Sequence, residues 1–170
     1  PVGETVLREA ETIFDSHTEP VNDATIHPDG TTFATASWDD TVRIWDRVSG
    51  ECLATYGPRP DDDCYSASFS PDGKRLVAGY SSGTFEIWDT QSHQRLITKR
   101  INRGDIYHVT FSPDSKYFAT TSWDDSIRVW KTADGQLVKK LKHNPTLPAG
   151  RRSELRAAAF FFARSGAWML

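Results

Sequence analysis

TASWDDTVRIWD, Thr35 to Asp46, is the stretch whose reading decides the fold, because the chain repeats it. It returns as GYSSGTFEIWD from Gly79 to Asp89 and as TSWDDSIRVWK from Thr121 to Lys131. The closing tryptophans, Trp45, Trp88 and Trp130, stand 43 and then 42 residues apart. A second marker keeps the same step: Pro28-Asp29-Gly30, Pro71-Asp72-Gly73 and Pro113-Asp114-Ser115 also recur at 43 and 42. Two markers holding one period across three copies establish internal repetition, and repetition at this period belongs to stacked supersecondary units.

Within the unit, Val42 and Ile44 alternate with Thr41, Arg43 and Trp45, the period-two pattern of a strand. Upstream, Trp38-Asp39-Asp40 is a tight turn and Thr32 to Ser37 a second strand. Before that, proline presets the turn, aspartate caps it and glycine tolerates positive φ, so Pro28-Asp29-Gly30 closes a hairpin onto Val21 to Ile26. Downstream, Asp46 to Gly50 turns the chain into Glu51 to Tyr56. The second copy places strands at Tyr65 to Phe69, Arg75 to Gly79, Thr84 to Trp88 and Arg95 to Lys99. The third places them at Tyr107 to Phe111, Tyr117 to Thr121, Ser126 to Trp130 and Gln136 to Leu141. Four hairpin-linked strands per period make one blade of a β-propeller. The fold class is therefore all-β: a partial β-propeller with about three full four-stranded blades and incomplete flanking blades.

The expected division is 17–56, 57–99 and 100–142 for the three blades. Residues 1–16 are read as the outer strand of a preceding blade, about Thr5 to Phe14, with helix as the competing reading of VLREAETIF. Residues 143–170 are read as the start of a divergent blade, with Arg156 to Phe162 as inner strand and helix again the competitor. Ile26, Phe69 and Phe111 hold equivalent places, as do Phe33, Leu76 and Phe118. All six are expected between blade faces, since one sheet cannot bury both its faces alone. A three-blade arc leaves two faces and two edges open. The sequence thus implies missing sequence, or another chain, to close the ring.

Lys plus Arg total 20 and Asp plus Glu 23, a formal charge of −3, which argues against a general nucleic-acid binder. Cys52 and Cys64 have no companion His or Cys pattern, so neither a zinc site nor a disulfide framework is expected and a reduced, intracellular setting is favoured. No apolar run reaches the roughly 20 residues a membrane-spanning helix needs, and no membrane association is expected. No nucleophile-elbow, HExxH, phosphate-loop or CxxC signature is present, adjacent carboxylates such as Asp39-Asp40 point apart on a tight turn, and His27, His93 and His108 lack ligand spacing. The expectation is a protein that is not an enzyme and carries no cofactor or metal.

The proline-aspartate-glycine turn followed by SWDDTVRIWD resembles the WD-repeat family of β-propellers, over about residues 5 to 142. The resemblance implies a rigid scaffold that displays loops to partners. It also implies a hydrogen-bonded group that locks each turn to its strands, matched in the first blade by His17, Thr35 or Ser37, Asp39 and Trp45. A buried indole N–H needs an acceptor, a hydroxyl can relay, and a carboxylate can orient the imidazole. The second blade keeps Trp88 but has Ser82 for the aspartate and no histidine, so it is expected to rest on packing and to be softer. The third keeps Asp124 and Trp130, with Asn102 where His17 would be.

The turns between second and third strands share a rim with the approach loops. Trp38 and Trp123, each followed by two aspartates that include Asp40 and Asp125, are read as exposed anchors there, with Tyr80 at the matching place of blade two. Asn22, Asp23, Tyr65, Ile106 and Tyr107 are read as neighbours around the central opening, and Asp61-Asp62-Asp63 as added negative charge. The expected partner is a protein or basic peptide within a larger assembly. The alternatives are an RNA-associated subunit, with Arg100, Arg103, Arg151 and Arg152 beside the aromatic rings, and a regulatory propeller of a multidomain signalling protein.

Overall fold

The computed structural model describes residues 16–101 and 104–142. The predicted strands at the two ends of the chain, together with Asn102, Arg103 and the arginines at 151 and 152, lie outside the described residues. Twelve strands follow in order: β1 Val21–Ile26, β2 Thr32–Ser37, β3 Val42–Asp46, β4 Cys52–Tyr56, β5 Cys64–Phe69, β6 Arg75–Tyr80, β7 Thr84–Asp89, β8 Arg95–Arg100, β9 Ile106–Phe111, β10 Tyr117–Ser122, β11 Ser126–Lys131 and β12 Leu137–Lys142. They form three antiparallel four-stranded meanders, β1-β2-β3-β4, β5-β6-β7-β8 and β9-β10-β11-β12. These are three blades of a propeller that does not close among the described residues.

The blades stack face to face. Ala34, Ala36, Val42, Ile44 and Tyr56 of the first meet Ala67, Phe69, Leu76, Ala78 and Trp88 of the second in one core. Val77, Phe85 and Ile87, on the opposite face of the second, meet Ile106, Val109, Phe111, Phe118 and Trp130 of the third. Tyr56 stacks flat on Trp88 at 4.5 Å between ring centres, and Phe85 meets Phe118 edge-on at 5.1 Å. Small residues at these seams let the sheets approach. Gly79 is one case: a Cβ there would stand 2.6 Å from a methyl of Ile106.

Two of the six residues expected between blades differ. Leu76, Phe118, Phe69 and Phe111 are buried, but Ile26 is 67% exposed and Phe33 is half-buried. Both belong to the first blade's outward face, against which no described residue packs a second sheet. Each meander also carries a register shift near the top of its inner strand, at Val21/Asp23, at Cys64/Ser66 and, opposite Thr121/Ser122, between Ile106 and His108. These bulges place Asn22, Tyr65 and Tyr107 on the rim instead of in a seam.

Candidate recognition rim

Every turn between second and third strands is pinned to the loop that approaches its blade. The amide of Trp38 donates to the Pro20 carbonyl (3.1 Å), that of Ser81 to Asp63 (2.9 Å) and that of Trp123 to Asp105 (2.9 Å). This repeat of one bond in three blades builds a continuous rim. It also corrects one prediction. Ser81, not Tyr80, holds the place of Trp38 and Trp123, while Tyr80 pairs with Cys64 at the end of β6 and is fully buried, its hydroxyl donating to Glu86. Ser81 stands 43 residues after Trp38 and 42 before Trp123, and carries no aromatic ring to mark that place in the sequence.

In the first blade the locking group is complete. Trp45 Nε1 donates to Thr35 Oγ1 (2.8 Å), Thr35 Oγ1 lies 2.6 Å from His17 Nε2, and His17 Nδ1 lies 2.8 Å from Asp39 Oδ2. With the indole donating and Asp39 accepting, the self-consistent assignment has Thr35 donating to His17 Nε2 and His17 Nδ1–H donating to Asp39. Ser37 takes no part in that relay. It lies two residues, about 7 Å, further along the strand, and its hydroxyl donates to the Glu19 carbonyl and accepts the Asp39 amide. Burial opposes ionisation of Asp39, but hydrogen bonds from Thr41, His17 and Thr18 outweigh it and hold its carboxyl below the usual range.

In the third blade Trp130 Nε1 again donates to a threonine, Thr120 (3.0 Å). Asp124 is engaged by Ser126, Arg128 and Lys140, and these bonds overcome burial to hold its carboxyl far below the ordinary value. The second blade differs from its expected description. Trp88 Nε1 is buried with no partner among the described residues, because Ala78 stands where Thr35 and Thr120 stand. The blade does not rest on packing alone, however. Glu86, fully buried, receives Arg59 (2.9 Å), Arg95 (3.0 Å), Thr98 and Tyr80. Arg59 also binds Asp62 (2.9 Å), and Asp62 accepts from Ser82 through both amide and hydroxyl, at 2.7 Å each. An ionic latch thus replaces the histidine.

The rim residues fall into two sets. Asp40 and Asp23, expected to meet a partner, are consumed in joining the blades. Asp40 accepts the amides of Asp61 and Asp62, and Asp23 accepts from the Ser66 hydroxyl (2.6 Å) and the Ala67 amide. Asp62 is buried in the latch and Ile106 in the seam, so neither is available at the surface. The remaining aromatics gather on the second and third blades: Tyr65 stacks on Tyr107 at 6.1 Å, and Tyr107 meets Trp123 at 6.1 Å. Asn22 donates to the Tyr65 carbonyl at the same row's first-blade end. Trp123 is 53% exposed and Trp38 46%, but Trp38 stands on the first blade with Ser81 between the two in rim order. Asp125, exposed, follows Trp123.

Carboxylates edge this row. Burial first, and then the negative charges of Asp40, Asp62 and Asp105, push the Asp63 carboxyl up. The Tyr65 phenol is raised by burial and then by Asp105 and Asp63. The row therefore sits in a negative field. Asp105 was missed in the sequence, although it was readable there: Pro20, Asp63 and Asp105 occupy one place in the period. Among the described residues no group of three or more His, Cys, Asp or Glu is arranged to hold a metal, and both cysteines are free, Cys64 being buried. No helix among them is long and apolar enough to cross a membrane.

A family model described as "WD domain, G-beta repeat" matches residues 8–46, 50–89 and 94–131. A guanine nucleotide-binding protein subunit beta of Zea mays is 37% identical over 83 residues, covering 45% of this chain and 22% of that protein. WD repeat-containing protein 1 of Gallus gallus is 37% identical over 84 residues, covering 48% of this chain and 14% of that one. Among solved structures, U3-55K superposes with a TM-score of 0.73 at 26% identity over 77% of this chain and 42% of that one. The RRP9 WD40 repeats give 0.71 at 27%, over 76% and 41%. The chain thus spans about a fifth of the maize relative and about two fifths of these structures.

Proposed function

The chain belongs to the WD40 family of β-propeller repeats, and from that premise we propose that it is a protein-interaction scaffold whose rim over the second and third blades docks a lysine- or arginine-bearing segment of a protein partner. The observation that carries this reading is the Tyr65–Tyr107–Trp123 row edged by Asp63 and Asp105, two carboxylates that receive no arginine or lysine from the chain's described residues. Aromatic faces supply apolar area and attract cations, and unneutralised carboxylates select the sign of the partner. The same carboxylates repel phosphate, which favours a basic protein segment over RNA at this surface. The relatives named as subunits accord with a part in an assembly.

The test is titration of the full-length protein with fluorescent peptides rich in lysine or arginine, against scrambled acidic controls. Trp123→Ala and the pair Asp63→Asn with Asp105→Asn should each weaken binding at least about tenfold without lowering thermal stability. Binding should weaken as salt rises. Unchanged affinity in both variants, or equal binding of acidic and basic peptides, would refute the reading.

A further inference from the structure

On the face opposite the rim, the hairpin turns of adjacent blades enclose two clefts at equivalent places, and these differ in charge. The first, between blades one and two, is lined by Asp29, Asp72 and Asp89 together with Lys74, Arg75, His27 and His93. The second, of about 430 Å³ between blades two and three, is lined by Lys74, Arg75, Lys116 and Lys131 with Asp72, Asp114, Tyr117 and Thr132. The change has one main source. The residue after the closing tryptophan is Asp46 in blade one and Asp89 in blade two, but Lys131 in blade three. Asp46 and Asp89 each cap the turn that follows, accepting from Ser49 and Ser92 respectively. Lys131 makes no such cap; among the described residues its ammonium reaches only the neutral Gln136 side chain (3.0 Å).

The two carboxylates in the second cleft are already engaged. Asp72 and Asp114 each accept a serine hydroxyl and a lysine amide within their own turns, and Lys116 approaches Asp114 only at 3.9 Å. Thr132 adds a second, independent sign of a missing ligand. Its equivalent in blade two, Thr90, donates to the Gly73 carbonyl, whereas Thr132 Oγ1 is buried with no partner among the described residues. Thr132 itself lines the cleft. Tyr117, paired in register with Lys131, and Leu96 give the cleft an apolar wall.

We propose that this cleft binds a phosphate monoester carried on an apolar or aromatic group, its oxygens taken by Lys74, Lys116 and Lys131 and by the Thr132 hydroxyl. Compact ammonium groups and a hydroxyl donor suit a doubly charged tetrahedral oxyanion, whose second ionisation falls near pH 6. The site is separate from the rim and takes the opposite charge.

The experiment is calorimetric titration of the full-length protein with phenyl phosphate, inorganic phosphate and phenyl sulfate. Phenyl phosphate should bind saturably, tightening from pH 5.5 to 7.5 as its second charge forms, and phenyl sulfate, with one charge, should bind more weakly. Lys131→Asp restores the residue that blades one and two use at that place, so it is compatible with folding. It should reduce affinity at least about tenfold. Lys74→Thr, the residue at the equivalent place of blade one, should act likewise, while Lys142→Ala and the rim substitutions should leave binding unchanged. Phosphate binding tighter than phenyl phosphate would place the source in free phosphate. No saturable binding, equal binding of the sulfate, or wild-type affinity in Lys131→Asp would overturn the proposal.

Discussion

Replacing Thr35 and Thr120 in turn by valine measures what the locking hydroxyl contributes. The two residues hold the same place in their blades and both are buried, and valine keeps their shape and strand preference. At Thr120 the substitution removes one hydrogen bond and leaves the Trp130 indole N–H without an acceptor. At Thr35 it removes two, orphaning both the Trp45 indole N–H and His17 Nε2, whose side chain is only 5% exposed. A buried polar group left unpaired costs about 1–3 kcal/mol. The expected losses are therefore about 1–2 kcal/mol for Thr120→Val and about 2–4 kcal/mol for Thr35→Val. Ala78 is the natural control, since the Trp88 indole there is already unpartnered.

Repeat arrays lose all-or-none cooperativity, so a single midpoint would average over blades. Hydrogen exchange resolved by peptide, on the full-length protein, reads each blade separately. Thr35→Val should speed exchange in β2 and β3 with little change in β10 and β11, and Thr120→Val should do the reverse to a smaller degree. Equal losses at both positions would refute the relay through His17. A loss at Thr35 below about 1 kcal/mol would show that water replaces the hydroxyl at no net cost.

Three further outcomes follow from the same structure. Arg59→Ala leaves Glu86 buried with only Arg95 as cationic partner, and should cost about 2–4 kcal/mol in chemical denaturation while releasing the loop 57–63 to exchange. Burial first, and then Asp89, push the Tyr56 phenol up to about 12. A group that holds its proton more tightly when folded stabilises below its ordinary value near 10, and that contribution is lost as pH rises from about 10 toward 12. Alkaline titration should thus open the seam between blades one and two, and Tyr56→Phe should reduce that dependence, the remainder coming from Tyr80 and Cys64, which burial pushes up in the same core. Trp45→Ala should cost about 3–5 kcal/mol by cavity formation, whereas Trp38→Ala and Trp123→Ala should leave the denaturation midpoint within about 0.5 kcal/mol of the parent. Equal unfolding by all three would contradict the division between buried and rim tryptophans.

The blades were legible in the sequence because a period of two within a period of 42 or 43 is set by backbone geometry, and the markers that keep it, the Pro-Asp turn and the closing Trp, recur in all three copies for local reasons. The rim was harder to read. Exposure of Trp38 and Trp123 follows from their lying outside the strand alternation, but Tyr80 ends a strand, and one residue of offset moved it from surface to core. The roles of Asp23 and Asp40 were hidden because the donors to their carboxylates come from the next blade, a contact between residues that local pattern does not carry.

The second blade explains why comparing equivalent places one at a time misled. Two residues before the closing tryptophan stand Arg43, Glu86 and Arg128, and at the turn stand Asp39, Ser82 and Asp124. In blades one and three the arginine faces the turn aspartate, at 3.7 Å for Arg43 and in direct contact for Arg128. In blade two both members change together. The strand becomes acidic and the turn neutral, so the cation must come from elsewhere, and the approach loop supplies it as Arg59. Arg59 in turn brings Asp62, which takes over the turn by binding Ser82. Read singly, the serine and the absent histidine signal a degraded lock; read as a set, they describe one whose polarity is reversed. A buried carboxylate with no cation would cost several kcal/mol, and Arg59 together with Arg95 supplies the charge that Glu86 requires. The coupling has a direct test: Glu86→Gln should destabilise wild type but lower the penalty of Arg59→Ala, and strictly additive losses in that double-mutant cycle would mean the latch is not a unit.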